Sequence, residues 1–289
     1  MNLSNGCNKE MLKLKHLILA SLILLVVHTN VRSADGKLLA TPGVSQVEGS
    51  AGGGIVPWAQ LAGYASREQI SGSGYCSKVS VDDFALNVCG VQANFFDRVE
   101  VSYAKQSFEV KPLNTDLKQD IVGAKVRLYG DLVYSKWPQI SVGIQHKSLK
   151  TETIAFALGA NKKSDTDFYI ASSKLHLGAV AGYNWLWNVS LRHTQANQMG
   201  LLGFGGEGKN KQWLLEASTA VLMSRHIAIG MEFREKPDNL NLGEDHWRDV
   251  FVAWFPNKSV SVTAAWVDLG SIAAINDQTG WYLSVTGYL

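Results

Sequence analysis

Along most of this 289-residue chain, apolar side chains recur at every second position. The last ten residues show the pattern most plainly. Trp281, Leu283, Val285, Gly287 and Leu289 fall on one parity, with Tyr282, Ser284, Thr286 and Tyr288 on the other. A side-chain period of two is that of a strand, with one greasy face and one wet face. The same alternation predicts twelve segments: Ile55–Ala65, Val79–Val91, Asp97–Phe108, Asp120–Gly130, Trp137–Ser148, Asp165–Leu175, Asn184–Thr194, Lys211–Leu222, Arg225–Glu235, Asp245–Phe255, Ser259–Asp268 and Gly280–Leu289. The sixth separates its two parities least well.

Alternation alone also fits a sandwich or a half-solvated sheet. Linker lengths discriminate. Linkers 66–78, 109–119, 149–164, 195–210, 236–244 and 269–278 are long, whereas 92–96, 131–136, 176–183, 223–224 and 256–258 are shorter. Short turns on one side, long loops on the other and an even strand count are the pattern of a membrane barrel. Trp185, Trp187, Trp254, Trp266 and Trp281 sit on apolar parities near segment ends, as interfacial girdles require, although aromatics of an ordinary β core would look similar.

The predicted fold is therefore all-β: a closed antiparallel up-and-down transmembrane β-barrel of about twelve strands, with short periplasmic turns and longer external loops. The first segment, Ile55–Ala65, must then pair with the last, Gly280–Leu289, to remove both sheet edges.

Such a barrel needs export. Lys9, Lys13 and Lys15 precede an apolar run from Leu17 to Val27. The run is shorter than the roughly 20 residues of a spanning helix and suits a cleaved signal peptide, residues 1–33. Residues 34–54 read as an irregular leader and 55–289 as the barrel. The signal holds four of the 27 basic and one of the 25 acidic side chains, leaving 23 against 24. That balance offers no charge field for nucleic acid.

Cys76 and Cys89 remain for a disulfide in an exported protein. If Val79–Val91 is one strand, its length of more than 30 Å at roughly 3.4 Å per residue holds the two cysteines too far apart. The sequence reading is therefore against a bridge.

On the wet parity, Arg98, Glu100, Lys125, Arg127, Arg192, Glu216, Glu232 and Arg234 are expected to line the lumen. They would either pair across strands in a closed, salt-bridged interior or select polar solutes in an open one. Loops 149–164 and 195–210 carry apolar residues that could bind or gate: Phe156, Met199, Leu201, Leu202 and Phe204.

Chemistry-bearing patterns are sparse. The run GFGGEG, Gly203–Gly208, leads into a strand, whereas a phosphate loop leads into a helix. His146 and His193 lack a serine at cross-strand register, so interfacial placement explains them better than catalysis. His246 beside Glu244 and Asp245 reads as a solvated acidic loop. No enzyme, metal or cofactor is expected.

Segments EGSAGGGIVPWAQLAGY, FFDRVEVSYAKQSF, DIVGAKVRLYGDLVY, PQISVGIQHK, ANQMGLLGFGGEG, KPDNL and FVAWFPNKSVSVTAAWVDLG resemble an uncharacterised family of Gram-negative exported proteins. The resemblance implies an outer-membrane β-barrel and carries no assigned activity or site residues. The expected partners are the outer-membrane bilayer, the barrel-assembly machinery during biogenesis, and an unidentified small solute. The expected function is passive passage or binding of that solute. The alternatives are a structural or surface-interaction barrel with a closed lumen and, with less support, a lipid-acting enzyme.

Overall fold

The computed structural model describes residues 37–208 and 210–289. The signal peptide expected at 1–33 lies outside the described residues. A two-stranded hairpin, β1 (Val44–Ser45) and β2 (Ala51–Gly52), precedes twelve longer strands. These are β3 (Ile70–Val81), β4 (Phe84–Phe95), β5 (Val99–Val110), β6 (Thr115–Tyr129), β7 (Gln139–Leu149), β8 (Ser164–Val180), β9 (Tyr183–Thr194), β10 (Gln212–Leu222), β11 (Ile227–Arg234), β12 (Trp247–Asn257), β13 (Val260–Asp268) and β14 (Thr279–Tyr288). Each pairs antiparallel with its chain neighbour, and β14 pairs with β3, so the barrel closes.

The seam is not the expected one. Gly280–Tyr288 pairs with Ser73–Val81, and Ile55–Ala65 forms no barrel strand. The barrel closes nonetheless, because the expected second segment is two strands. Val79–Val91 crosses a turn at Asp82–Asp83, which joins β3 to β4. One false strand and one undivided hairpin offset each other, leaving the total at twelve.

That hairpin also reverses the expectation for the cysteines. Cys76 of β3 stands directly opposite Cys89 of β4, and the two form a disulfide with Cα atoms 4.1 Å apart. Both side chains are on the outer face. Replacing both by serine should destabilise the barrel by at most about 3 kcal/mol, the value for closing a loop of this length. Denaturant unfolding in detergent would measure it, and thiol titration of the native chain without reductant should find neither cysteine free.

The outer wall follows the alternation. Val99, Val101 and Tyr103 of β5, Ile227, Ile229 and Met231 of β11, and Leu283 and Val285 of β14 are exposed. In water this apolar surface would be far larger than a soluble protein tolerates; in lipid it is the ordinary outer face of a barrel. Trp254, Trp185 and Trp187 lie toward the turn end, while Trp266 and Trp281 pair near the loop end. No helix among the described residues is long and apolar enough to cross a membrane.

Turns and loops segregate to opposite ends. The turn end is made by 96–98, 130–138, 181–182, 223–226 and 258–259, and the loop end by 82–83, 111–114, 150–163, 195–211, 235–246 and 269–278. The turn after β4 is tight: Arg98 N–H donates to Phe95 C=O at 3.0 Å, and Phe96 and Asp97 have φ of 57° and 52°. Positive φ at both central residues matches the right-handed twist of the flanking strands.

Candidate functional site

The lumen is filled by the chain itself. Residues 42–65 are all buried, including Val56 and Ala59 at 0% exposure. This plug threads the barrel before β3 begins. Its apolar alternation, read in sequence as a first strand, instead packs against the inner wall from within. A segment enclosed on all sides also needs partners for its backbone groups, since each unpaired buried one is costly. The inner wall supplies them.

Glu100 of β5 accepts from the backbone N–H of Ala51 (3.1 Å) and of Ala62 (2.8 Å). Lys125 of β6 donates to the carbonyls of Ala51 (2.8 Å) and Gln60 (2.7 Å) and pairs with Glu100. Glu232 of β11 accepts from Ile55 N–H (2.8 Å) and from the Trp58 indole (3.3 Å). Gln139 and Ser141 of β7 both donate to Ala59 C=O.

The densest contact is at the β1–β2 turn. Glu48, fully buried, pairs with Lys147 of β7, Arg192 of β9 (3.4 Å) and Arg234 of β11 (2.6 Å). Asp167 of β8 and Glu216 of β10 complete the cluster. Lys147 reaches Asp167 at 2.6 Å, and Glu216 takes Arg192 at 2.7 Å and Arg234 at 3.2 Å. Burial alone would push the Glu48 carboxyl up, but the fields of Arg192, Arg234 and Lys147 outweigh it and hold the group well below the usual carboxylate range.

Of the eight residues expected in the lumen, Glu100, Lys125, Arg127, Arg192, Glu216, Glu232 and Arg234 are buried on the inner side. Arg127 sits near the turn end, pairing with Asp97 and with Asp131 at 3.1 Å. Arg98 is a correction: it is exposed in the turn between β4 and β5, past the strand end, where parity no longer fixes direction. Sequence reasoning missed Glu48, Lys147 and Asp167. Lys147 and Asp167 share the inward parity of their strands, which could have found them. Glu48 lies in a stretch without periodicity and carried no signal.

The loop end is capped from above. Met199, Leu201, Leu202 and Phe204 of loop 195–211 are buried, and the first three join the core containing Val47, Ile55, Phe84 and Val267. Phe84, Leu86 and Val88 face inward here, and the gap left between plug and cap is only about 30 Å³. Phe156 is a second correction: it sits on a five-residue helix, Thr153–Ala157, 44% exposed, and closes nothing. Loop 235–246 is tied down by Lys236, which pairs with Glu244 (2.9 Å) and donates to Ser271 C=O (2.6 Å). Burial lowers the Lys236 pKa despite the opposing pull of Glu244.

The histidines take structural partners. His146 bonds the Thr166 hydroxyl at 2.9 Å, His193 stacks on Trp213, and His246 meets the edge of Phe233. No group of three or more potential metal ligands is present among the described residues.

Among solved structures, the chain is similar to the KdgM porin (TM-score 0.49, 11% identity, 74% of this chain and 98% of that one). It is also similar to the outer membrane protein Omp33 of Acinetobacter baumannii (TM-score 0.47, 12% identity, 77% and 98%) and to an outer membrane channel from Pseudomonas putida F1 (TM-score 0.46, 10% identity, 76% and 94%). No curated protein matches it. Residues 41–286 match the family described as Protein of unknown function (DUF3034), and the chain belongs to that family.

Proposed function

We propose that the protein is a plugged outer-membrane channel, closed as it stands, whose lumen passes a small polar solute when residues 42–65 withdraw. The short turns face the periplasm and the long loops face outward, as in the general barrel pattern.

The observation that carries the reading is where the plug enters and leaves. Lys37, before it, pairs with Asp97 at 2.7 Å, and Gln69 C=O, after it, accepts from Phe96 N–H at 2.9 Å. Both anchors sit at the same turn of the barrel wall. The segment is therefore an excursion from one end, and it can leave without breaking any rung of the barrel ladder. Its contacts also suit release. Much of its hold on the wall is ionic and hydrogen-bonded, and buried ion pairs add less net stability than apolar packing of the same volume. The wall it would leave behind carries the polar groups Lys125, Arg192, Arg234, Glu100 and Glu216, beside an apolar stretch at Phe84, Leu86 and Val88.

The competing reading is a permanently sealed barrel that acts through its surface. The apolar cap of Met199, Leu201 and Leu202 favours it. A reversible lock separates the two. Thr286 of β14 donates to the Ser45 hydroxyl of the plug at 3.3 Å, and both side chains are as short as cysteine, so Ser45→Cys/Thr286→Cys can tether plug to wall. In planar bilayers the native chain should be mostly silent with intermittent openings. The oxidised double variant should be silent, and reductant should restore openings to it. Currents indifferent to the lock, or a reduced variant that never opens, would overturn the channel.

A further inference from the structure

The Glu48 carboxylate is held as a ligand would be. We infer that Lys147, Arg192 and Arg234 form a lumenal site for the carboxylate of a small anionic solute, which Glu48 occupies in the closed barrel. This rests on the reading that the plug withdraws.

Three cationic side chains converge here from β7, β9 and β11, and all are more than nine-tenths buried. The wall opposes them with two carboxylates, Asp167 and Glu216. Within this cluster the charges balance with Glu48 in place; without it these five wall side chains keep one excess positive charge among themselves. An uncompensated charge in a poorly solvated interior is costly, and a carboxylate monoanion restores the balance. The wall is built to hold that shape. One Glu48 oxygen takes Arg234 at 2.6 Å, Arg192 at 3.4 Å and the Gln46 amide at 2.7 Å, while the other takes Lys147. Once the plug is gone, three of those four donors remain, because only Gln46 leaves with Glu48.

The two guanidinium groups are braced. Arg192 lies over the Tyr169 ring at 5.3 Å and donates to Gln145 at 2.6 Å, and Arg234 lies over Trp247 at 5.4 Å. Guanidinium groups fixed in place lose little freedom on meeting a planar carboxylate, which is the geometry arginine recognises best. Around them the lumen offers Gln145, Ser190 and Asn188, neutral hydrogen-bonding groups suited to a hydroxylated body. Solute and Glu48 thus compete for one site, so the solute favours the open state by its differential affinity.

Amide hydrogen exchange on the full chain in detergent tests this, with gluconate as the probe. Sorbitol serves as the uncharged analogue and sodium chloride as the control for ionic strength. Gluconate should speed exchange across residues 46–54 severalfold, with β5 and β14 unchanged and neither control doing the same. Equal rates in all three solutions would overturn the site. Acceleration by chloride to the same degree would also overturn it, since screening alone would then explain the release. The cysteine lock uses no anion. A lock that governs the current beside a plug indifferent to gluconate therefore removes this site and leaves the channel standing.

Discussion

Glu48→Ala should loosen the plug by about 3–5 kcal/mol, the usual cost of removing one partner from a buried ion cluster. The cause is less the lost attraction than what stays behind: Lys147, Arg192 and Arg234 keep their charges in the interior with only Asp167 and Glu216 to balance them. Protease sensitivity of residues 42–65 and the frequency of channel openings should both rise, while the barrel ladder stays intact by circular dichroism. Glu48→Gln should fall short of this effect, because the amide keeps the volume and the hydrogen-bond acceptor. An unchanged plug in Glu48→Ala would mean that the cluster does not hold it.

The same residue gives the sign of a pH effect. Its carboxyl is depressed in the folded chain. Its contribution is therefore complete above the ordinary carboxylate pKa of about 4.3, and it is lost as pH falls from there through the lower folded value. The native chain should show plug release rising as acid is added below that range. Glu48→Gln has no such proton to bind, so its remaining acid response should be shallower.

Phe204→Ala should cost about 3–5 kcal/mol, as for other fully buried aromatic side chains cut to alanine. Phe204 is at 0% exposure although it lies in a surface loop. Its backbone bridges to the neighbouring loop, Phe204 N–H to Lys162 C=O at 2.9 Å and Asn161 N–H to Phe204 C=O at 3.1 Å. Those bonds survive the substitution, so the loss falls on the packing of loops 150–163 and 195–211 against each other. Phe156→Ala, on an exposed side chain of the same cap, should change stability by no more than about 0.5 kcal/mol. Thermal unfolding of the two variants in one detergent compares them. Equal small effects would mean that loop 195–211 is not a packed cap.

These contrasts follow how far each feature was legible in the chain. From β5 onward each strand has one face to lipid and one to the lumen, so the code is local and its period of two survives in the sequence. The pair Asp82–Asp83 between two apolar runs was a turn signal, and reading through it hid both the first hairpin and the disulfide opposite it. Ile55–Ala65 could not have been placed this way. It is apolar because it is surrounded, and a surrounded segment and a lipid-facing strand draw on the same residues. Loops 150–163 and 195–211 were both visible as greasy, but whether Phe156 of the first or Phe204 of the second turned inward depended on their neighbours.

The sequence by itself determined an alternating wall with one apolar face and with charges on its inner parity, because side-chain direction along a strand is set by the backbone alone; its count of twelve strands came from two offsetting misreadings. Only the tertiary structure decided what those charges meet. Glu48 lies 99 residues from Lys147 and 186 from Arg234, and no local pattern links them. Closure of the barrel brings them together, because a lumen must be filled by water, solute or protein, and here the chain's own N-terminal segment fills it.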